Sequence, residues 1–312
     1  MADKSTVRSQ VKKNGFGLAN WMHEVLKTHK LASQNMSPNA VHDLRVSLRR
    51  CRSMVDGLME VDDYPGWKKF KKTARNLFKS LGALRDTHVM IGWVKKLAPK
   101  DNRARKALLK ILRSRKKNEE KRAKRKVESF DRKKWKAFSK TLPERAERRA
   151  KQRKAFAQLA LRRYEDAYAF YQTALQNPED VTGWHQLRVG IKRFRYTIEN
   201  FLPEFHKRWG KDLETIQDLL GDVHDLDMLW EALDETGKVF DQEEHRCWRA
   251  WIDEQRAPRM VQCQALFKGS QSRWRLWKRD LKHNPPRSAA KAGNPTPALK
   301  NSDGTSRPAE KA

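Results

Sequence analysis

The sequence predicts an all-helical protein made of two related halves. Two observations carry this reading. First, Gly and Pro are scarce before residue 284, and the alternating β-branched runs that strands need are lacking. Second, the chain repeats itself. Residues 41–56 read VHDLRVSLRRCRSMVD and residues 184–199 read WHQLRVGIKRFRYTIE, sharing H-x-L-R-V-x-[LI]-[KR]-R-x-R. LGALRD at 81–86 follows the first copy, and LGDVHD at 220–225 follows the second at nearly the same offset. Two matches in one order indicate a duplication, with about four helices in each half.

Local punctuation places the helices. A first helix spans about Val7 to Leu31. Ser37 and Pro38 supply an N-cap and a first-turn proline for a second. Pro65 restarts a third, which Pro99 closes. A very basic stretch, about Arg103 to Lys136, reads as a solvated helix with few apolar anchors. Pro143 opens the next helix, which reaches about Gln176 before Asn177 and Pro178 break it. A helix from about Val181 to Phe201 ends at Pro203, and two more cover about Glu204–Leu233 and Gln242–Leu281. The segments LGALRD and LGDVHD read as turns that break a helix. Gly82 and Gly221 allow a kink or close packing, while Asp86 and Asp225 either cap the next turn or pair with a motif arginine. Residues 284–312 are rich in Pro, Ala, Ser, Gly and Lys without periodicity and read as a disordered tail.

Charge narrows the partner. Lys and Arg total 69 against 38 Asp and Glu, a formal net charge of +31. Such an excess repels itself and calls for a polyanion: nucleic acid, polyphosphate, an anionic membrane or an acidic protein. Hydrophobic residues make up only 38%, yet 11 Trp and 12 Phe can anchor a core. Cys51, Cys247 and Cys263 are odd in number and widely spaced, which fits a reducing cytoplasm better than a disulfide framework or a zinc site. No run approaches the ~18 apolar residues of a membrane span, and the N-terminus lacks the apolar core of a signal peptide. A cytoplasmic location is therefore expected.

On a helix, the repeated motif makes a stripe. His42, Arg45, Arg49 and Arg52 fall within an arc of about 80°. Leu44, Leu48, Cys51, Val55 and Leu58 occupy the adjoining arc, which can face a core. In the second copy His185, Arg188, Lys192 and Arg195 form the basic stripe, beside Leu187, Ile191, Phe194, Ile198 and Phe201. Four cations span about three turns, or ~15 Å. Guanidinium forks and an ammonium at that spacing suit a repeating anion better than one small phosphate. A solvated face or intramolecular salt bridges are the plain alternative, and repetition of the whole stripe weighs against it. The two histidines fit a phosphate contact or a structural hydrogen bond equally well; metal ligation is poorly supported by the spacing.

These motifs resemble the CHAD family, the conserved histidine α-helical domain. The resemblance covers residues 7 to 283, with Cys51 in place of the usual aliphatic residue and His224 where the first copy has Arg85. It implies one domain over 1–283, with halves of about 1–140 and 141–283. It further implies two four-helix bundles related by a pseudo-twofold axis around a basic groove or pore. It implies binding of inorganic polyphosphate, with localisation to polyphosphate granules in some members, and no cofactor. The family's binding residues carry over to His42, Arg45, Arg49, Arg50 and Arg52, and to His185, Arg188, Lys192, Arg193 and Arg195. Lys72, Lys79 and Lys211 on the third helix of each half extend the set. Arg50 and Arg193 lie about 100° or more off the main stripe.

Three rival functions have their own signals. Non-specific nucleic-acid binding would use the basic region 103–154, including KRAKRK at 121–126. An enzyme acting on polyphosphate is disfavoured, because no phosphate-cradling glycine loop, nucleophile elbow or paired-carboxylate metal centre is evident. Scaffolding would use Trp248, Trp251, Trp274 and Trp277 as a docking face.

Overall fold

The computed structural model describes residues 17–235 and 241–283. The predicted start of the first helix at Val7, and the tail from Asn284, lie outside the described residues. Among those described there are eleven α-helices and no strands. They are α1 (Leu18–Gln34), α2 (Pro38–Leu58), α3 (Pro65–Thr73), α4 (Arg75–Leu97), α5 (Arg103–Glu128) and α6 (Arg132–Ala150). Then follow α7 (Arg153–Gln176), α8 (Val181–Phe201), α9 (Pro203–Glu235), α10 (Gln242–Ala265) and α11 (Arg273–His283).

Helix starts follow cap chemistry. The Ser37 side chain accepts from Ala40 N at 3.3 Å, with Pro38 in the first turn of α2. Asn102, Asp131 and Asp180 accept in the same way at the starts of α5, α6 and α8, and Asp241 with Glu244 forms a capping box on α10. Several predicted helices divide further. The stretch after Pro65 breaks at Ala74. The basic helix ends at Glu128, because Asp131 caps a new one. Pro143 sits inside α6 and does not open a helix; Trp135, Leu142 and Ala146 bury one face of α6 on both sides of it, outweighing the lost backbone bond. The last long helix divides around Gly269, whose φ of +73° ends the right-handed run. LGALRD and LGDVHD lie in the interiors of α4 and α9 and break neither.

Pairings recur in order along the chain. In the first half α1 packs on α2, α2 on α4, and α4 on α5. In the second, α7 packs on α8, α8 on α9, and α9 on α10. The halves meet through α2 against α8 and α4 against α9. These are the four helices that carry the repeated motifs. At the α2–α8 crossing a methyl group on Gly57 would overlap the Phe201 ring, so only glycine lets the helices come this close.

One large core holds the apolar arcs of both motif helices, including Leu44, Leu48 and Cys51 from α2 and Leu187, Ile191 and Phe194 from α8. A smaller core joins Trp93, Val94 and Leu108 to Leu226, Leu229 and Trp248, pinning α4–α5 against α9–α10. Trp248, Trp274 and Trp277 are buried and Trp251 is partly buried, so these rings fill cores and do not form the docking face considered from sequence. α6 is fixed by Asp62, which accepts two 2.6 Å bonds from Arg145 and one from Trp67. Those donors hold the Asp62 carboxyl down at about 2. Among the described residues no helix is long and apolar enough to cross a membrane.

Candidate anion-binding site

The apolar arcs of α2 and α8 face the core, so their basic arcs are turned toward each other and toward α4 and α9. Arg45 and Arg49 of α2 thereby stand within electrostatic range of Arg188 and Lys192 of α8. Arg85 of α4 joins them. Two carboxylates, Asp86 of α4 and Asp225 of α9, face this group of cations. They are the aspartates of the two L-G-x-x-x-D motifs, and their partners are motif arginines; neither is a helix cap.

The electrostatics show an excess of positive charge. Lost hydration and the facing cations Arg188, Arg49, Arg45 and Arg193 push the Lys192 ammonium down to about 8. Lost hydration also lowers Arg45 and Arg188, and their common neighbour Arg49 adds to this against the pull of the aspartates. Desolvation raises Asp225 to about 6, in spite of Arg188 and Arg85. The Nε groups of Arg49 and Arg188 are shielded from water and have no hydrogen-bond partner among the described residues. Buried donors of this kind are costly unless something accepts from them.

Arg45 is the positioned member. Its Nη1 donates to the Phe78 carbonyl at 3.2 Å, and its guanidinium lies 4.6 Å from the Phe78 ring centroid. A Cβ at Gly82 would come within 2.9 Å of that same Nη1. The glycine of the first L-G-x-x-x-D motif thus leaves room for the Arg45 guanidinium where it lies, and a side chain there would push it aside.

The histidines differ from a cationic phosphate clamp. His185 and His224 meet Nδ1 to Nδ1 at 3.3 Å, so one Nδ1–H donates to the other nitrogen. Desolvation and Arg188 lower both, His224 to about 4, and the pair is neutral at pH 7. His42 lies half-buried on α2 with interactions of its own.

The remaining sequence candidates stand elsewhere. Arg50 and Arg195 enter a buried ion cluster on Glu199. Arg50 pairs with Glu199 directly and lies over Trp21 and Tyr196, and Arg195 Nε is 3.9 Å from the same carboxylate. Arg195 belongs to the helical stripe by angle, but it sits at the stripe's edge beside the apolar arc, where packing against the neighbouring helices buries it. Arg52 lies over Phe78 and donates to the Lys71 carbonyl at 3.4 Å. Arg193, Lys72, Lys79 and Lys211 are exposed. Arg85, Asp86, Asp225 and His224 belong to the cluster and were absent from the sequence-based set of binding residues. Their signal was present: they repeat at matched positions after each stripe.

The region 103–154 holds both paired and unpaired cations. On α6 and just after it, Arg145, Arg148, Arg149 and Arg153 are all ion-paired. On α5, Arg113, Arg115, Lys117, Lys121 and Lys124 have no ion pair among the described residues.

Helices that carry H-x-L-R-V-x-x-[KR]-R-x-R twice, and whose two copies face one another, fit one family. The family model for the CHAD domain matches residues 19–234. The chain belongs to the CHAD domain family. Two solved structures share its fold. One is the crystal structure of the CHAD domain from the plant Ricinus communis, 19% identical, with a TM-score of 0.56 over 87% of this chain and 90% of that one. The other is PptA from Streptomyces chartreusis, 16% identical, with a TM-score of 0.54 over 85% of this chain and 96% of that one. No curated protein matches the sequence. In this CHAD domain α10 and α11 lie beyond the matched residues, yet Trp248 and Trp277 bury fully in its two cores.

Proposed function

We propose that this CHAD protein binds inorganic polyphosphate in a groove where the two motif stripes meet, and that it binds the polymer without acting on it chemically. The observation that supports this most is the crowding of Arg45, Arg49, Arg85, Arg188 and Lys192 against two carboxylates among the described residues, Asp86 and Asp225. Within the cluster like charges repel and the Arg49 and Arg188 Nε donors lack acceptors among the described residues, and a chain of phosphates would relieve both. Planar guanidinium forks match phosphate oxygens, and no feature of the cluster selects a nucleobase. Membership of a family linked to polyphosphate points the same way. Association with polyphosphate granules would follow from the same contacts.

Nucleic acid is the second reading, favoured by the unpaired cations of α5. A competition titration at near-physiological salt separates the two. Labelled long-chain polyphosphate is challenged with single-stranded RNA and duplex DNA at matched phosphate. Polyphosphate is expected to win by about tenfold or more, since bases add nothing to a phosphate site. Equal competition would reassign the protein to nucleic-acid association.

Binding should also depend on pH in one window. Lys192 has its pKa lowered to about 8 in the free protein. A bound phosphate raises it again, so binding takes up a proton above that pH. Affinity should therefore hold from pH 7 to 8 and then fall by up to about tenfold per pH unit. Arginine keeps its charge throughout, so Lys192→Arg should flatten the profile between pH 8 and 9.5, roughly the span from the lowered value towards an ordinary lysine. Isothermal titration in buffers of different ionisation enthalpy would read the proton directly. A wild-type profile with no break near pH 8 would remove Lys192 from the site.

A further inference from the structure

The two halves are not equivalent around the central cluster. On α10 every arginine is neutralised. Arg246 pairs with Glu243, Arg249 with Asp253, Arg256 with Asp227 and Arg259 with Asp222. The last two acids belong to α9, on the flank of the cluster. At the matching positions of α4 stand Ala83 and His88, because LGALRD aligns with LGDVHD. Neither carries a negative charge. Both ring nitrogens of His88 are shielded and have no hydrogen-bond partner among the described residues, and burial with Lys116 and Arg85 nearby lowers its pKa to about 4. The α5 side of the cluster thus lacks the acids that close the α10 side.

α5 is also shaped to continue the site. Arg115 lies within electrostatic range of Asp86, one of the two carboxylates of the central cluster. It lines a depression with Ile111, Ser114, Asn118, Glu119 and Arg122. Arg115 and Arg122 share one azimuth of the helix about 10 Å apart along its axis. Asn118 lies between them with an amide to donate. Arg122 pairs with Glu119 at 3.3 Å on the exposed face, where a phosphate can compete for it, while Arg115 makes no ion pair among the described residues.

We propose that the polyanion track is one-sided: a long polyphosphate chain leaves the central cluster over α5, past Arg115 toward Arg122, and not over α10. This rests on the polyphosphate reading above. Such a track makes the affinity for long chains depend on α5, while a short chain is held by the central cluster alone.

The test compares tripolyphosphate with long-chain polyphosphate on the full chain. Arg115→Gln/Arg122→Gln should weaken long-chain binding by about tenfold and leave tripolyphosphate within about twofold, as expected for losing two solvent-exposed ion pairs, each weaker than a contact in the buried cluster. Lys117→Gln/Lys121→Gln removes the same charge from the opposite face of α5 and should stay within about twofold of wild type for both ligands. Equal losses in the two double variants would show diffuse attraction and overturn the track. So would long-chain affinity unchanged by Arg115→Gln/Arg122→Gln. The central variant Arg49→Glu keeps the two ideas apart: if it binds both ligands as wild type does, the polyphosphate site itself is misplaced.

Discussion

Arg49→Glu/Lys192→Glu should lose more than about a hundredfold in polyphosphate affinity and remain folded. Each charge-assisted contact contributes about 1.5–3 kcal/mol, and about 1.4 kcal/mol is a factor of ten. Reversal adds repulsion to the loss of two such contacts. The fold should tolerate the change, because neither side chain makes an ion pair among the described residues. The folded pKa of Lys192 is depressed, so folding disfavours the charged form and stability rises with pH between about 8 and the usual lysine value. Removing that ammonium relieves a cost, and the thermal midpoint should equal or exceed that of wild type. Arg45 would be a poorer choice, since its guanidinium is bonded to the Phe78 carbonyl and stacked on the Phe78 ring. Fluorescence anisotropy with labelled polyphosphate and a circular dichroism melt suffice to test this. A loss under about tenfold with an intact melt would move the site elsewhere, and a collapsed melt would make these cations structural.

Glu199→Gln should do the opposite: little to the binding chemistry and much to the fold. Glu199 is buried between Arg50 of α2 and Arg195 of its own helix, so it joins the two halves at the crossing of their motif helices. Neutralising it leaves two guanidinium groups without their counter-charge out of water. Breaking a buried pair in this way costs about 3–5 kcal/mol, or a midpoint lowered by about 10 °C in a protein of this size. Burial pushes the Glu199 carboxyl up, but Arg50 and Arg195 outweigh it and hold the group below its ordinary value of 4.5. A depressed folded pKa contributes stability that is present above the unfolded pKa and lost as pH falls through the folded one. Wild type should therefore lose this contribution as pH falls below the ordinary carboxylate value and through the lowered one, and Glu199→Gln should show a flatter acid limb. A midpoint shifted by less than about 2 °C would mean that water reaches the arginines and the cluster is no lock.

The same pair of predictions shows how much of the site was legible in the residues. Position in the helical stripe found Arg45, Arg49, Arg188 and Lys192, because an apolar arc that must be buried fixes where the adjoining arc points. It placed Arg195 beside them by angle alone. What separates Arg195 is a neighbour four residues on, Glu199, and a facing helix, and helical angle carries no information about either. Gly82 was legible as a glycine with a purpose, close packing or a kink; that the close neighbour is the guanidinium of Arg45 required the coordinates. Pro143 shows the limit of punctuation. A proline is a strong local signal, but Trp135, Leu142 and Ala146 carry the helix through it.

The sequence by itself determined the helical class, the repetition of stripe and L-G-x-x-x-D motif, and the excess of cations over carboxylates. These are local or summed properties, and they need only periodicity and charge. The tertiary structure alone decided that the two stripes converge, that Asp86, Asp225 and Arg85 stand with the cluster, and that Arg50 and Arg195 meet at Glu199. It also decided which basic helix is already neutralised. The reason is physical: a charge acts through its neighbours in space. For Arg49 the neighbours that matter are Arg188 and Lys192, well over a hundred residues away along the chain.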